Sequence, residues 1–335
     1  MKYSFSYVPS PIELTEYESL IGAAQSDGFD IVWTPDQGYM IDPVAALALA
    51  LRSSSSLRMG LGVTSPFMRH PLQIARAAAT LGNLAPDRFI LGIGAGEKAR
   101  IRDPIGAPSG RFIDILDDTF LALRGLLDGD RVSITNSVFH LDDVALEMPL
   151  RSSVPLYLAT TAPSAFKLAG ARADGVIVGD VSDPATMAEI VGWIASGAAE
   201  AGRSIDDIDI IAWVATVITD DRAAIWERLR RRVVGTAIAA MSKPTRRMLG
   251  VAEEHIPEIM AARRDDAAPL SKEAISEPVV DRFALVGDGE TVARRIRELE
   301  EVGVTTMGFR MPVALQDQIS FADNLGRLKS QVMSA

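Results

Sequence analysis

Between Gly60 and Glu97 the sequence spells out a strand, a helix and a second strand. It runs Gly-Leu-Gly-Val-Thr-Ser-Pro-Phe-Met-Arg-His-Pro, passes through a helix-like stretch from Leu72 to Leu84, and resumes as Arg-Phe-Ile-Leu-Gly-Ile-Gly-Ala-Gly-Glu. In the middle stretch Ile74, Ala77, Leu81 and Leu84 fall on one helical face, while each apolar run is short and ends in a glycine-bearing turn. A strand, helix, strand order of this kind is the crossover of a parallel sheet. The glycines at both strand ends would let backbone approach a flat ligand, and Glu97 follows directly on the second end.

The same alternation continues through the chain. Apolar runs at Tyr3 to Val8, Ile31 to Trp33, Arg58 to Thr64, Phe89 to Gly94, Pro155 to Ala159, Gly175 to Val178, Ile208 to Val217 and Thr305 to Phe309 read as strands, with amphipathic helices between them. Asp42-Pro43, Asp183-Pro184 and Asp288-Gly289 supply helix starts, and Pro163 opens a helix that Gly170 is expected to close. Eight strands alternating with helices favour an α/β fold of the closed (β/α)8 barrel type over an open sheet. The expected organisation is one barrel domain over residues 1–335, with insertions near 100–150 and 220–280. The first insertion carries a strand-like segment between Arg131 and Pro149. The second is helical in pattern, with Pro244 and Pro257 as expected breakers.

Composition narrows the function. The 335 residues carry a net charge of −10 and no long basic tract, which argues against nucleic acid or an anionic membrane as a partner. There is no cysteine, so disulfides, thiolate metal sites, iron–sulfur clusters and a cysteine nucleophile are all excluded. No window is apolar enough to span a bilayer, and the expected location is the cytoplasm.

Some candidate residues stand out by position. Asp36 and Gln37 lie just past the second strand, at the end of a barrel strand where chemistry is placed. On the residues alone, Glu97 reads equally well as a solvated loop carboxylate. Thr160-Thr161-Ala162 precede a helix start, whose unpaired amides attract anions. His70, His140 and His255 have no partners at metal-ligand spacing, and no metal site is expected. The arginines at 228, 230, 231 and 232 read as a solvated helix face, with an anionic ligand tail as the lesser alternative.

The runs Gly60 to Pro66, Arg88 to Ala99 and Phe283 to Asp288, together with Tyr7-Val8-Pro9 and Ser204 to Asp209, resemble the bacterial luciferase-like superfamily. Within it they are most similar to the methylenetetrahydromethanopterin reductase branch, which uses the deazaflavin coenzyme F420. The resemblance implies a TIM barrel, hydride transfer between the deazaflavin and an organic substrate, and a homodimer. It further implies a cis peptide at Gly62-Val63 supporting the ring, with Thr64 bonded to the cofactor. Glu97 would stand beside the ring as the group that stabilises or supplies a proton, and Thr160, Thr161 and Ala162 would hold the phosphate. Asp36 and Gln37 would face the substrate.

Two positions depart from that pattern. Gln37 stands where relatives carry histidine, and Ser6 where the reductases carry a glutamate implicated in proton transfer. Neither can exchange a proton near neutral pH. The alternatives are an FMN-dependent monooxygenase on the same barrel and a non-catalytic flavin-binding protein.

Overall fold

Eight strands close into a parallel barrel. The computed structural model describes residues 1–7, 14–96, 102–107, 112–315 and 318–334. The strands are β1 (Lys2–Ser6), β2 (Ile31–Thr34), β3 (Arg58–Thr64), β4 (Phe89–Gly94), the pair β5 (Val132–Thr135) and β6 (His140–Val144), β7 (Leu156–Thr160), β8 (Gly175–Gly179), β9 (Asp209–Ile218), β10 (Ala284–Gly287) and β11 (Thr306–Arg310). Around the barrel the order is β1, β2, β3, β4, β7, β8, β9, β11 and back to β1. The seam joins the two ends of the chain, with Lys2 opposite Thr306 and Ser6 opposite Arg310.

The alternation seen in the sequence has a direct cause. Ile31, Trp33, Ile90, Tyr157, Ile177, Ile211 and Trp213 form one buried cluster inside the ring. The opposite faces of the strands join the larger core beneath the helices. Between the strands lie α1 (Leu14–Ser26), α2 (Pro43–Ser53), α3 (Pro71–Leu84), α4 (Phe112–Asp128), α5 (Pro163–Arg172) and α6 (Pro184–Glu200). The Asp42 and Asp183 side chains cap α2 and α6. His70 caps α3 by accepting a bond from the Leu72 N–H at 3.2 Å.

Two segments interrupt the alternation. β5 and β6 pair antiparallel as a hairpin outside the barrel. A helical layer follows β9: α7 (Arg222–Arg228), a π-helical stretch Leu229–Val234, α8 (Gly235–Ala240), α9 (Lys243–Met248), α10 (Ile256–Arg264) and α11 (Glu277–Phe283). Then come β10, α12 (Gly289–Glu301), β11 and α13 (Phe321–Leu328).

Several local expectations are revised. Pro244 and Pro257 open α9 and α10 instead of breaking them, because proline in the first turn forfeits no helical hydrogen bond. Gly170 does not end α5, which continues to Arg172. A Cβ there would come within 2.0 Å of the Ile194 carbonyl oxygen, so this glycine lets α5 and α6 touch backbone to backbone. Arg230 is buried rather than solvated, donating to the Ile275 carbonyl at 2.9 Å and the Ser271 carbonyl at 2.6 Å. The four-residue strand β10, which extends the sheet beside residues 215–218 of β9, was not expected.

Candidate active site

At the carboxyl end of β3 the peptide bond Gly62–Val63 is cis, and the register against β4 shifts between Leu61 and Thr64. The glycines around it serve packing first. A Cβ on Gly60 would lie 2.0 Å from the Trp33 ring, and one on Gly62 would lie 2.7 Å from Trp33 and 2.8 Å from Trp213. On β4, Cβ atoms at Gly92 and Gly94 would each approach a Val63 methyl to 2.8 Å. The glycine pattern of the two strands therefore makes room for an indole below and for Val63 beside the mouth.

Above this floor opens a cavity of about 1040 Å³, ample for a cofactor together with a substrate. Its barrel side is formed by Gly62, Val63, Gly94, Ala159, Gly179 and Trp213. Its outer side comes from the second insertion, through Met241, Ser242, Met260 and Arg263, and from Arg102, Asp103 and Phe112 near the start of α4. A Cβ added to Gly179 would meet no atom of the described residues within 4 Å, so the space beside it opens into the cavity.

One wall carries positive charge. Thr160, Thr161 and Ala162 border the cavity where α5 begins, and Ala162 gives that helix no side-chain cap. The Thr160 hydroxyl accepts the Ala162 N–H at 3.1 Å, which folds the chain tightly into the helix. Amides at a helix start carry partial positive charge. Arg102 and Arg263 add full charges on the outer side. The Arg102 guanidinium stacks over Phe112 at 4.0 Å, and burial lowers its pKa.

The insertion is pinned to the same wall. The Thr161 carbonyl accepts bonds from the Ser242 and Thr245 hydroxyls, each at 2.6 Å, while the Thr161 hydroxyl accepts the Ser242 N–H at 3.0 Å.

The residues singled out from sequence divide into two groups. Gly62, Val63, Thr160, Thr161 and Ala162 converge on the cavity. Asp36 and Thr64 instead bond to each other beside it: the Thr64 hydroxyl donates to Asp36 at 2.9 Å, and Arg69 Nε donates to the same carboxylate oxygen at 2.7 Å. Both residues are buried. Gln37 is half-buried on the loop after β2, where its carbonyl accepts the Tyr39 N–H at 2.8 Å. Ser6 ends β1. Glu97 lies outside the described residues. The arginines at 228 to 232 do not border this cavity. Among the described residues no group of three or more metal-ligating side chains comes together.

Sequence reasoning missed Asp180 and Arg310, which pair across the cavity wall from the ends of β8 and β11. Each is the first charged residue after an apolar run, and that was the available signal. Burial pushes the Asp180 carboxyl up from its ordinary value, and the Arg310 charge opposes the shift.

A family model described as luciferase-like monooxygenase matches residues 4–306. The chain belongs to the luciferase-like monooxygenase family. Among its relatives in that family is the 5,10-methylenetetrahydromethanopterin reductase of Methanolobus tindarius, 27% identical over 93% of this chain and 95% of the relative. The F420-dependent glucose-6-phosphate dehydrogenase of Beutenbergia cavernae is 29% identical over 94% of this chain and 91% of its own length. The solved structure of the coenzyme F420 dependent tetrahydromethanopterin reductase from Methanopyrus kandleri superposes with a TM-score of 0.82 at 25% identity, covering 99% of this chain and 98% of that one. The barrel thus agrees with the fold of this luciferase-like branch.

Proposed function

We propose that this luciferase-like protein is a coenzyme F420-dependent oxidoreductase that moves a hydride between the deazaflavin and a small organic substrate. The observation that carries the reading is the cavity, which extends from the cis Gly62–Val63 floor to the start of α5, where no side chain caps the helix. A flat ring fits the floor, and an anionic tail fits α5 with Arg102 and Arg263. The space at Gly179, which any side chain would take up, agrees with that use. The F420-dependent relatives support the same choice of cofactor.

When bound, the deazaflavin would supply the hydride chemistry. The chain's own contribution is placement and exclusion of water. Gly62 and Val63 would set the height of the ring, while Thr160, Thr161 and Ala162 would fix its tail. Met241 and Met260, on the insertion, give the outer wall an apolar face. Thr64, buried and bonded to Asp36, would support the floor from behind and not touch the ring. For Glu97 the family resemblance implies a role toward the cofactor.

Titration of the apo protein with F420 and with FMN, followed by cofactor and tryptophan fluorescence, tests this directly. Saturable F420 binding with no FMN response at equal concentration is expected. Tight FMN binding with no F420 response would replace the reading with an FMN-dependent monooxygenase. F420 binding without turnover of any carbonyl, imine or enone would leave a flavin-binding protein.

A further inference from the structure

Resting on the F420 reading, we propose that Asp180 and Arg310 form the substrate end of the cavity. Arg310 binds a substrate oxygen and Asp180 exchanges the proton that accompanies hydride transfer, so the substrate is a ketone or its secondary alcohol.

The geometry leaves few other candidates for the proton. Of the acids directly at the carboxyl ends of barrel strands among the described residues, Asp36 is engaged by Arg69 and Thr64 and lies outside the cavity lining. Ser6 and Gln37 carry no titratable group. Asp180 lines the cavity with its side chain 19% exposed. Its backbone N–H donates to the Trp213 carbonyl at 2.9 Å, which fixes where the side chain starts.

Arg310 Nη2 donates to Asp180 Oδ1. Among the described residues no other donor reaches this carboxylate, and Nε and Nη1 of Arg310 bond to none of them. The pair therefore presents one open carboxylate oxygen and unspent guanidinium N–H groups to the same space. The other charged residues on the described lining are Arg102, Asp103 and Arg263, which belong to the outer side.

That arrangement selects a chemistry. Guanidinium only donates hydrogen bonds, so its partner must be an acceptor such as a carbonyl or alcohol oxygen. A cationic iminium, the other common hydride acceptor, would be repelled by Arg310. In the reductive direction the carbonyl carbon gains a hydride, with its two electrons, from the reduced deazaflavin. The C=O π bond breaks, and the oxygen takes the proton from Asp180, which is left as a carboxylate paired with Arg310 and regains its proton from water. Oxidation of the alcohol runs the same steps backwards. Burial favours the protonated acid that reduction requires.

The test uses F420-loaded protein, reduced, with a panel of simple ketones beside imines and enones. The wild type is expected to reduce ketones, with kcat/KM falling as pH rises past the Asp180 pKa. Asp180→Asn should bind F420 within about twofold of wild type by fluorescence, lose about 100-fold or more in kcat, and lose that pH limb. Arg310→Gln removes the charge that favours the carboxylate; it should move the limb to higher pH and raise KM about tenfold, which keeps the proposal testable if Asp180→Asn fails to fold. F420 binding by the wild type without ketone turnover overturns the proposal. So does an Asp180→Asn protein with parental rate and pH profile, or a limb that disappears in Glu97→Gln but persists in Asp180→Asn. Failure of the cofactor reading has a different signature, the absence of any F420 response in the wild type.

Discussion

At the scale of single residues, glycines in barrel strands do opposite jobs that only the neighbouring side chains distinguish. Gly60 faces the Trp33 ring, where an added methyl would overlap it at 2.0 Å, whereas Gly179 faces open cavity. Gly60→Ala should therefore destabilise the fold by about 1–3 kcal/mol in urea unfolding, the usual cost of overpacking. Gly179→Val should leave the unfolding midpoint nearly unchanged and instead weaken F420 binding tenfold or more in a fluorescence titration. Equal loss of stability in both variants would contradict this division. The sequence could not separate them: both read as small residues in an apolar run, and the indole that fills one space comes from β2, distant in the chain. Asp180 and Arg310 escaped notice for a related reason. Each is a single charged residue at or just past the end of a strand, and the signal lies in their pairing, 130 positions apart.

At the scale of elements, the barrel strands and the faces of most helices were legible because alternation and 3.6-residue periodicity are local. On α6 the expected face, Met187, Ile190, Ile194 and Ala198, is buried throughout. On α3 the buried stripe is shifted, taking in Ala75 and Ala78 while leaving Leu84 40% exposed. The role of the second insertion was not legible, since it depends on contacts across more than 80 positions. Ser242 and Thr245 spend both hydroxyls on the Thr161 carbonyl, so this layer is tied to the wall proposed to hold the cofactor's tail. Replacing the pair as Ser242→Ala with Thr245→Val should weaken F420 binding about tenfold, as expected for one or two lost hydrogen bonds; unchanged affinity would show that the strap is dispensable.

The same layer carries an acid-sensitive brace. Glu258 accepts the Ser271 N–H and hydroxyl, each at 2.9 Å, and pairs with His255 at 2.6 Å. These contacts, the Ser271 backbone bond first, hold its carboxyl below the ordinary value. A depressed folded pKa gives stability that is present above the unfolded value and lost as pH falls through the folded one. Glu258→Gln should therefore lower the thermal midpoint at pH 7, with the difference from wild type shrinking below about pH 4. A difference that grew on acidification would show the sign to be wrong.

At the scale of the whole molecule, the barrel is closed by the two ends of the chain. β1 lies against β11, and the amino terminus reaches Glu300 at 3.0 Å. α13 then covers the seam, with Phe321 packed at 5.7 Å from Phe5 and 5.0 Å from Tyr7. Its buried Asn324 bonds the far end of β9, accepting the Ile218 N–H and donating to the Thr216 carbonyl, both at 2.9 Å. No local pattern in the sequence announces such a residue, because an asparagine in an amphipathic helix ordinarily faces water. Asn324→Leu keeps the volume but strands a buried N–H and a buried carbonyl, each costing about 1–3 kcal/mol. If the ring stands or falls as a unit, that loss must appear globally. The urea midpoint should drop by the same amount whether followed by tryptophan fluorescence, to which Trp33 and Trp213 inside the barrel contribute, or by far-ultraviolet circular dichroism. Separate transitions for the two probes would mean that α13 detaches on its own and that closure of the barrel does not depend on it.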